Sequence, residues 1–399
     1  MILNIGILVA VLLTALLLWL PKVRTRPTWR AMTTPLASII GSGFLVLGPI
    51  LDEAYGKYAP LVMAALCLGA YLYGSAIRYN MAALEAGGSH RSRLVEGLET
   101  AASWSLGFAY VISVAYYLNL FGAFGVSLTA MNEPLQAKMV TTAVFGVIVF
   151  AGWTHGFKSL EQMEYVSVTA KLAIIAGLLL GLGAYFAGRA NDGGVLFNLP
   201  KMTGWPAVAL AFGLIVTVQG FETSRYLAAD YDSRTREKSM RWAQWLSTGI
   251  YMTYILLLAY VFERGEVKLT ETAIVDMMGL VAPILTVLLV AAALAAQFSA
   301  AVADTSGSGG LIAELTGGRM SPRGAYAVLA AVGVALTWWA DVFDIIAYAS
   351  RAFAIYYMLQ AAIAAVTAWN ANARTRSAGF AALAAIGAAI VVFGRAVEG

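Results

Sequence analysis

The sequence predicts an all-α protein that crosses a membrane about twelve times, and three observations carry that prediction. Hydrophobic residues make up 60% of the 399, charged residues only 12%, and the mean hydropathy is +0.75. A soluble domain needs roughly a quarter of its residues charged to cover its surface. The apolar residues also come in long runs, such as 2–20, 59–73, 172–186 and 249–261. Runs near 20 residues span a ~30 Å hydrocarbon core as helix, because only a helix satisfies its own backbone polar groups there. Finally, the short alternating segments of a membrane barrel do not occur in the sequence.

Breaks at Gly, Pro and charge divide the apolar runs into twelve spans, near 2–20, 31–51, 59–80, 101–130, 139–153, 162–187, 206–229, 242–262, 275–303, 324–340, 344–368 and 377–394. With the 21–30 loop placed in the cytoplasm and the rest alternating, sixteen Lys and Arg fall inside and seven outside. That bias is the positive-inside pattern of a cytoplasmic-membrane protein with both termini outside. Residues 2–20 lack a basic leader and are followed by Lys22, Arg24, Arg26 and Arg30 rather than a small-residue cleavage site, so they read as a retained helix. Two inner segments, 78–99 and 231–241, mix charges at helical spacing and read as amphipathic pieces on the inner face.

Two spans carry interruptions. In the first, Thr34-Pro35 and Gly41-Ser42-Gly43 loosen the helix near mid-membrane. A break there frees N–H and C=O groups that something polar must satisfy. The half-helix that follows turns its N-terminus, with partial positive charge, toward the break and offers a seat for a carboxylate. About 180 residues later, Gln219, Gly220, Glu222 and Arg225 form a second such segment, whose polar groups face a cavity or one another. Arg225 and Asp230 can alternatively sit at the interface. Paired interruptions at matching places in two halves are the mark of an inverted-repeat transporter and point to its binding site.

Other intramembrane polar residues are less decisive. Lys171 in the sixth span is either snorkelling or a functional charge. Arg351 needs a partner, for which Asp304 and Asp344 are candidates, although Asp304 lies near the end of its span and can reach water. Tyr110, Tyr116, Tyr117 and Asn119 form a polar aromatic stripe, part of it facing a cavity. Enzyme chemistry has little to work with: His90 and His155 are both in loops, no metal-ligand spacing occurs, and Ser306-Gly307-Ser308-Gly309-Gly310 lacks the ending of a phosphate loop. The sequence therefore predicts no catalytic residue, no metal and no cofactor. Lone Cys67 allows no intrachain disulfide, and no basic block suggests nucleic acid.

Several motifs then resemble, in order, those of the amino acid–polyamine–organocation (APC) superfamily. Ile39-Ile40-Gly41-Ser42-Gly43-Phe44 is similar to its first-helix motif, and Glu85-Ala86-Gly87-Gly88-Ser89 to its second-to-third-helix loop. Gly156-Phe157-Lys158-Ser159, followed by Lys171, resembles the fourth-to-fifth-helix region. Val218-Gln219-Gly220-Phe221-Glu222, running on to Ala228-Ala229-Asp230-Tyr231, resembles the sixth helix. Residues 310–322 resemble the end of the eighth, with Gly309-Gly310 in place of the usual Ser-Arg.

The resemblance implies a leucine-transporter-like, five-plus-five inverted-repeat fold. Residues 1–30 would then hold an extra helix and basic loop, 31–187 the first repeat, 188–205 an outer loop, 206–370 the second repeat and 371–399 a last helix. It implies substrate contacts from Ile40, Gly41, Ser42, Gly43 and Phe44 and from Val218, Gln219, Gly220 and Phe221. Tyr116 and Glu222 are added as neighbours of that pocket. It also implies that Lys171 replaces a sodium ion, with Ser299 close by. The expected activity is sodium-independent secondary transport of an amino acid or small amine, with protons or exchange as the coupling. The alternatives are another solute or cation on the same fold, or a sensor that binds an amino acid without moving it.

Overall fold

The computed structural model describes residues 1–41, 43–86, 92–154, 160–227 and 231–397, with backbone alone for Ala86 and residues 160–164. Among the described residues there is helix and no strand. The chain opens with α1 (Ile2–Trp19), a single basic turn α2 (Pro21–Arg24), and then α3 (Pro27–Ile39) and α4 (Gly43–Tyr55), two halves of one span. Next come α5 (Ala59–Ala86), α6 (Arg93–Val126), α7 (Pro134–Thr154) and α8 (Leu160–Asn191). The second half begins with α9 (Gly204–Gly213), followed by 3₁₀ turns at Ile215–Val218 and Phe221–Tyr226. It continues with α10 (Ser233–Leu258), α11 (Ala273–Val281), α12 (Pro283–Leu315), α13 (Pro322–Trp339) and α14 (Val342–Asn370), and ends with α15 (Arg374–Phe393). Eight of the described helical stretches are long and apolar enough to cross a membrane. The chain is an all-α polytopic membrane protein.

α6 forms the axis, with 89% of its apolar window buried, and it packs along both α12 and α14. Lipid tails are as apolar as leucine, so close packing and polar contacts hold such helices together. α1 is the opposite case: only 11% of it is buried, and it lies against α8. Gly177 and Gly181 make that approach possible. A Cβ on Gly177 would come within 2.7 Å of Val11, and one on Gly181 within 3.2 Å of Ile7.

The 188–205 connection forms a strap across one end. Leu196 N donates to Tyr260 O (2.9 Å), Lys57 N to Asn198 O (2.9 Å), and Lys201 N and Met202 N both to Ala54 O (3.0 Å). Glu53 pairs with Lys201 beside it.

Three expectations change. The ninth span, expected over 275–303, is two elements. Pro283 has no N–H to donate, and Ala282 before it is extended (φ −162°, ψ 126°), so α11 stops and α12 starts afresh and runs on to Leu315. Asp304 is consequently mid-helix and buried, not at a wet end. Arg351 pairs with neither Asp304 nor Asp344: its Nε (3.0 Å) and Nη2 (2.5 Å) donate to Gly394 O past the end of α15. The inner segments 78–99 and 231–241 are largely continuations of membrane helices. Arg78 is buried in α5, where it donates to Gln244 of α10 (2.5 Å), and residues 231–241 lead into α10. Asp232 caps α10 through Thr235 N (3.1 Å), and these Thr235 contacts hold its carboxyl below the usual carboxylate range.

Candidate functional site

Both interrupted spans are broken, and the breaks touch. α3 contains Pro35, which has no N–H for the carbonyl one turn back, and it ends at Ile39 with Ile40 outside helical geometry (φ −87°, ψ 57°). α4 restarts at Gly43, so the N–H groups of its first turn have no intrahelical acceptor. The second break is longer. It runs from Leu214 through two 3₁₀ turns separated by extended Gln219 (φ −83°, ψ 179°) and left-handed Gly220 (φ 112°). A Cβ on Gly43 would lie 2.7 Å from Thr217 Cα, and one on Gly220 would lie 2.7 Å from Ile39 N. Nothing larger than glycine lets the two backbones come this close.

Unwinding frees backbone groups, and buried ones must find partners. Here side chains of the surrounding helices supply them. Lys171 Nζ of α8 donates to Ala37 O at the end of α3 (2.8 Å). Tyr251 of α10 sits between the breaks, with its hydroxyl 2.9 Å from Ile39 O and 2.7 Å from Thr217 O. Ser350 of α14 donates to Gly213 O (2.6 Å) and accepts from Val216 N (3.1 Å). Glu222 Oε2 accepts from Gly220 N (3.0 Å) and from the Tyr357 hydroxyl (2.9 Å).

The expected site residues are therefore gathered. Ile40, Gly41, Gly43, Phe44, Val218, Gln219, Gly220, Phe221, Glu222 and Tyr116 are all buried. Phe44 packs on Tyr254 (4.5 Å) and Tyr251 (5.3 Å), and Phe221 stacks on Tyr357 (5.2 Å). Gln219 Nε2 donates to Tyr117 Oη (3.3 Å), and Tyr116 packs beside Tyr117 (5.3 Å). Ser42 lies outside the described residues, as do Gly87–Ser89, Gly156–Ser159 and Ala228–Asp230. Ser299 is half-buried on α12, which packs against α8. Asn119 turns away from the breaks and donates to Thr337 of α13 (2.9 Å). Beside Tyr251 is a cavity of about 10 Å³, lined by Ile39, Cys67, Val218 and Gln244 among others, which is room for about one water.

The profile of a family described as an APC superfamily transporter matches residues 21–394. The chain belongs to the APC superfamily. An uncharacterized protein of Aquifex aeolicus (strain VF5) is 41% identical to this APC transporter over 390 residues, 95% of this chain and 93% of the other. The match starts at Pro21, so α1 lies outside it.

On the basic side, the second break leads into a partly buried polar network. Arg225 donates to Glu99 of α6 (2.7 Å) and to Gln360 Oε1 of α14 (2.5 Å), which also accepts from Asn80 of α5 (2.9 Å). Arg236 of α10 donates to Arg225 O (2.8 Å) and pairs with Glu85 (3.2 Å). Arg225 of the APC transporter is thus held by α6, α10 and α14 together.

Sequence reasoning missed Tyr251, Ser350 and Tyr357, each of which meets a break from a distant helix. Tyr251→Phe leaves two buried carbonyls without that hydroxyl and is expected to cost about 1–3 kcal/mol. Thermal denaturation of the purified protein reads this cost, and an unchanged midpoint would mean that Tyr251 does not hold the breaks together.

Proposed function

We propose that this transporter carries an amino acid or a related small amine across the cytoplasmic membrane by alternating access, without sodium, and that the two breaks form its binding site. The observation that carries the reading is the direct contact between the breaks: Gly43 lies on Thr217 and Gly220 on Ile39. A small zwitterion fits between them only as they part, so binding and opening are the same movement. The first-turn N–H groups of α4 suit its carboxylate, and the carbonyls near Val218 and Gly220 suit its amine.

The packing of the halves supports a repeat of 31–187 in 206–370. α3 packs on the Phe221–Tyr226 turn, α5 on α10, α6 on α12 and α7 on α13. In each pair the partners hold the same place in their halves, so the halves can rock about the breaks. Lys171 supplies a fixed positive charge at the C-terminal end of α3, where carbonyls accumulate partial negative charge.

The first test is a thermal-shift screen of amino acids and amines on the purified protein, followed by counterflow of labelled hits in liposomes. Some of them should stabilise the protein and exchange. Stabilisation without counterflow would instead make the protein a sensor, and no stabilisation by any compound would remove the site. Lys171→Ala should lower uptake about tenfold or more, since a charged buried hydrogen bond contributes roughly 1.5–3 kcal/mol. Unchanged uptake would leave Lys171 without a role.

A further inference from the structure

Behind the second break, two carboxyl groups lie in the protein interior. Glu222 is 1% exposed, and Asp304 of α12 is 7% exposed. Each lies within electrostatic reach of the other and of Tyr110. Among the described residues neither forms an ion pair. The partners of Glu222 are Gly220 N and Tyr357, with Oε1 unpartnered, and the partner of Asp304 is Ser113 of α6. The neighbouring charges are engaged elsewhere, Arg225 with Glu99 and Lys171 with Ala37 O. The tyrosines within electrostatic reach of one or both acids are Tyr110 and Tyr117 of α6, Tyr356 and Tyr357 of α14, and Tyr226 of the second 3₁₀ turn. Two bare carboxylates at this depth are costly without a compensating positive charge.

The hydrogen bonds of Ser113 indicate which charge that is. Its hydroxyl has one proton and two oxygen neighbours, Tyr110 O (3.1 Å) and Asp304 Oδ2. A backbone carbonyl can only accept. A protonated Asp304 gives each contact its own hydrogen, whereas a carboxylate leaves the single Ser113 hydrogen shared between two acceptors. One turn further along α12, Ser308 is fully buried with its hydroxyl unpartnered, a second donor or acceptor on the same helical face.

We propose that Asp304, with Glu222 as its neighbouring charge, is the proton-binding site that couples this transporter to the proton gradient. The proposal rests on the transport reading above. It assigns the moving proton to this acid pair and leaves Lys171 as the fixed charge. Opening the breaks moves Glu222 with the Phe221–Tyr226 turn while Asp304 stays with α12 and α6. The separation changes the field that retains the proton, and water reaching Asp304 carries it away.

Infrared spectra of the full-length protein in lipid, recorded from acid to alkaline pH, test the site without a substrate. The C=O stretch of a protonated buried carboxyl is expected at neutral pH and should be lost in Asp304→Asn; the same band in that variant overturns the proposal. Ser113→Ala keeps the acid and should shift the band, and an unshifted band also counts against it. Liposomes containing a pH-sensitive dye and a labelled amino-acid mixture test the coupling. Asp304→Asn should retain counterflow while amino-acid-driven proton entry falls at least tenfold; proton entry at the parent rate overturns the assignment. If the parent protein shows no counterflow, the transport reading fails, and the infrared band alone decides whether Asp304 holds a proton.

Discussion

Gly220→Ala is expected to abolish exchange while the protein still inserts into the membrane. Two independent penalties act at this position. Its φ of 112° is open to glycine and strained for any side chain, at about 1–3 kcal/mol. The added methyl would also press on Ser38 Cβ at 2.5 Å and Ile39 N at 2.7 Å, and backbone cannot swing aside as a flexible side chain can. Overpacking of this kind costs another ~1–3 kcal/mol. Insertion depends on the apolar spans, which are untouched. Gly43→Ala should behave alike, because its methyl would meet Thr217 Cα at 2.7 Å. Gly41→Ala should lose less, because its nearest contact, Ser38 O, is 3.0 Å away and its φ is not left-handed. Counterflow and thermal midpoints of the three variants would establish the order. A Gly220→Ala protein that exchanges normally would show that the breaks need not touch.

Arg225→Ala should be the most damaging substitution of a charged residue. The guanidinium and Glu99 are 15% and 14% exposed, so they are paired largely away from water. Removing one partner of a largely buried pair costs up to about 3–5 kcal/mol. Gln360 and Asn80 would lose order with it, since Arg225 and Asn80 converge on the same amide oxygen of Gln360. The double variant Arg225→Gln with Glu99→Gln removes both charges together and should recover part of the loss, so the two substitutions are non-additive. Thermal midpoints of the two single variants and the double decide this. Additive losses would mean that the pair does not couple.

The architecture was legible because the bilayer is a strict solvent. Apolar runs of the right length had to be helices, and both interruptions fall where glycine and polar residues cluster. The start of α12 was missed although Pro283 stood in plain view, because an apolar run conceals a break that a prolyl ring imposes. The bond partners were not legible. Tyr251, Ser350 and Tyr357 look like any buried hydroxyl residues in a helix, and their acceptors lie between 34 and 212 residues away. Arg351 is similar: the sequence offers Asp344 and Asp304 as partners, whereas the fold brings Gly394 O to it. Local spacing specifies a helix face, and the neighbour on that face is decided by tertiary packing.

The glycines where α1 meets α8 have a consequence for the surrounding lipid. Gly177 and Gly181 leave a shallow furrow along α8, the helix that carries Lys171, and Val11 and Ile7 fill it. Removing α1 would hand that furrow to acyl chains, which fit it less well and exchange constantly. The foot of α3, anchored through Lys171, would then rest on a support whose firmness varies with the fluidity of the bilayer.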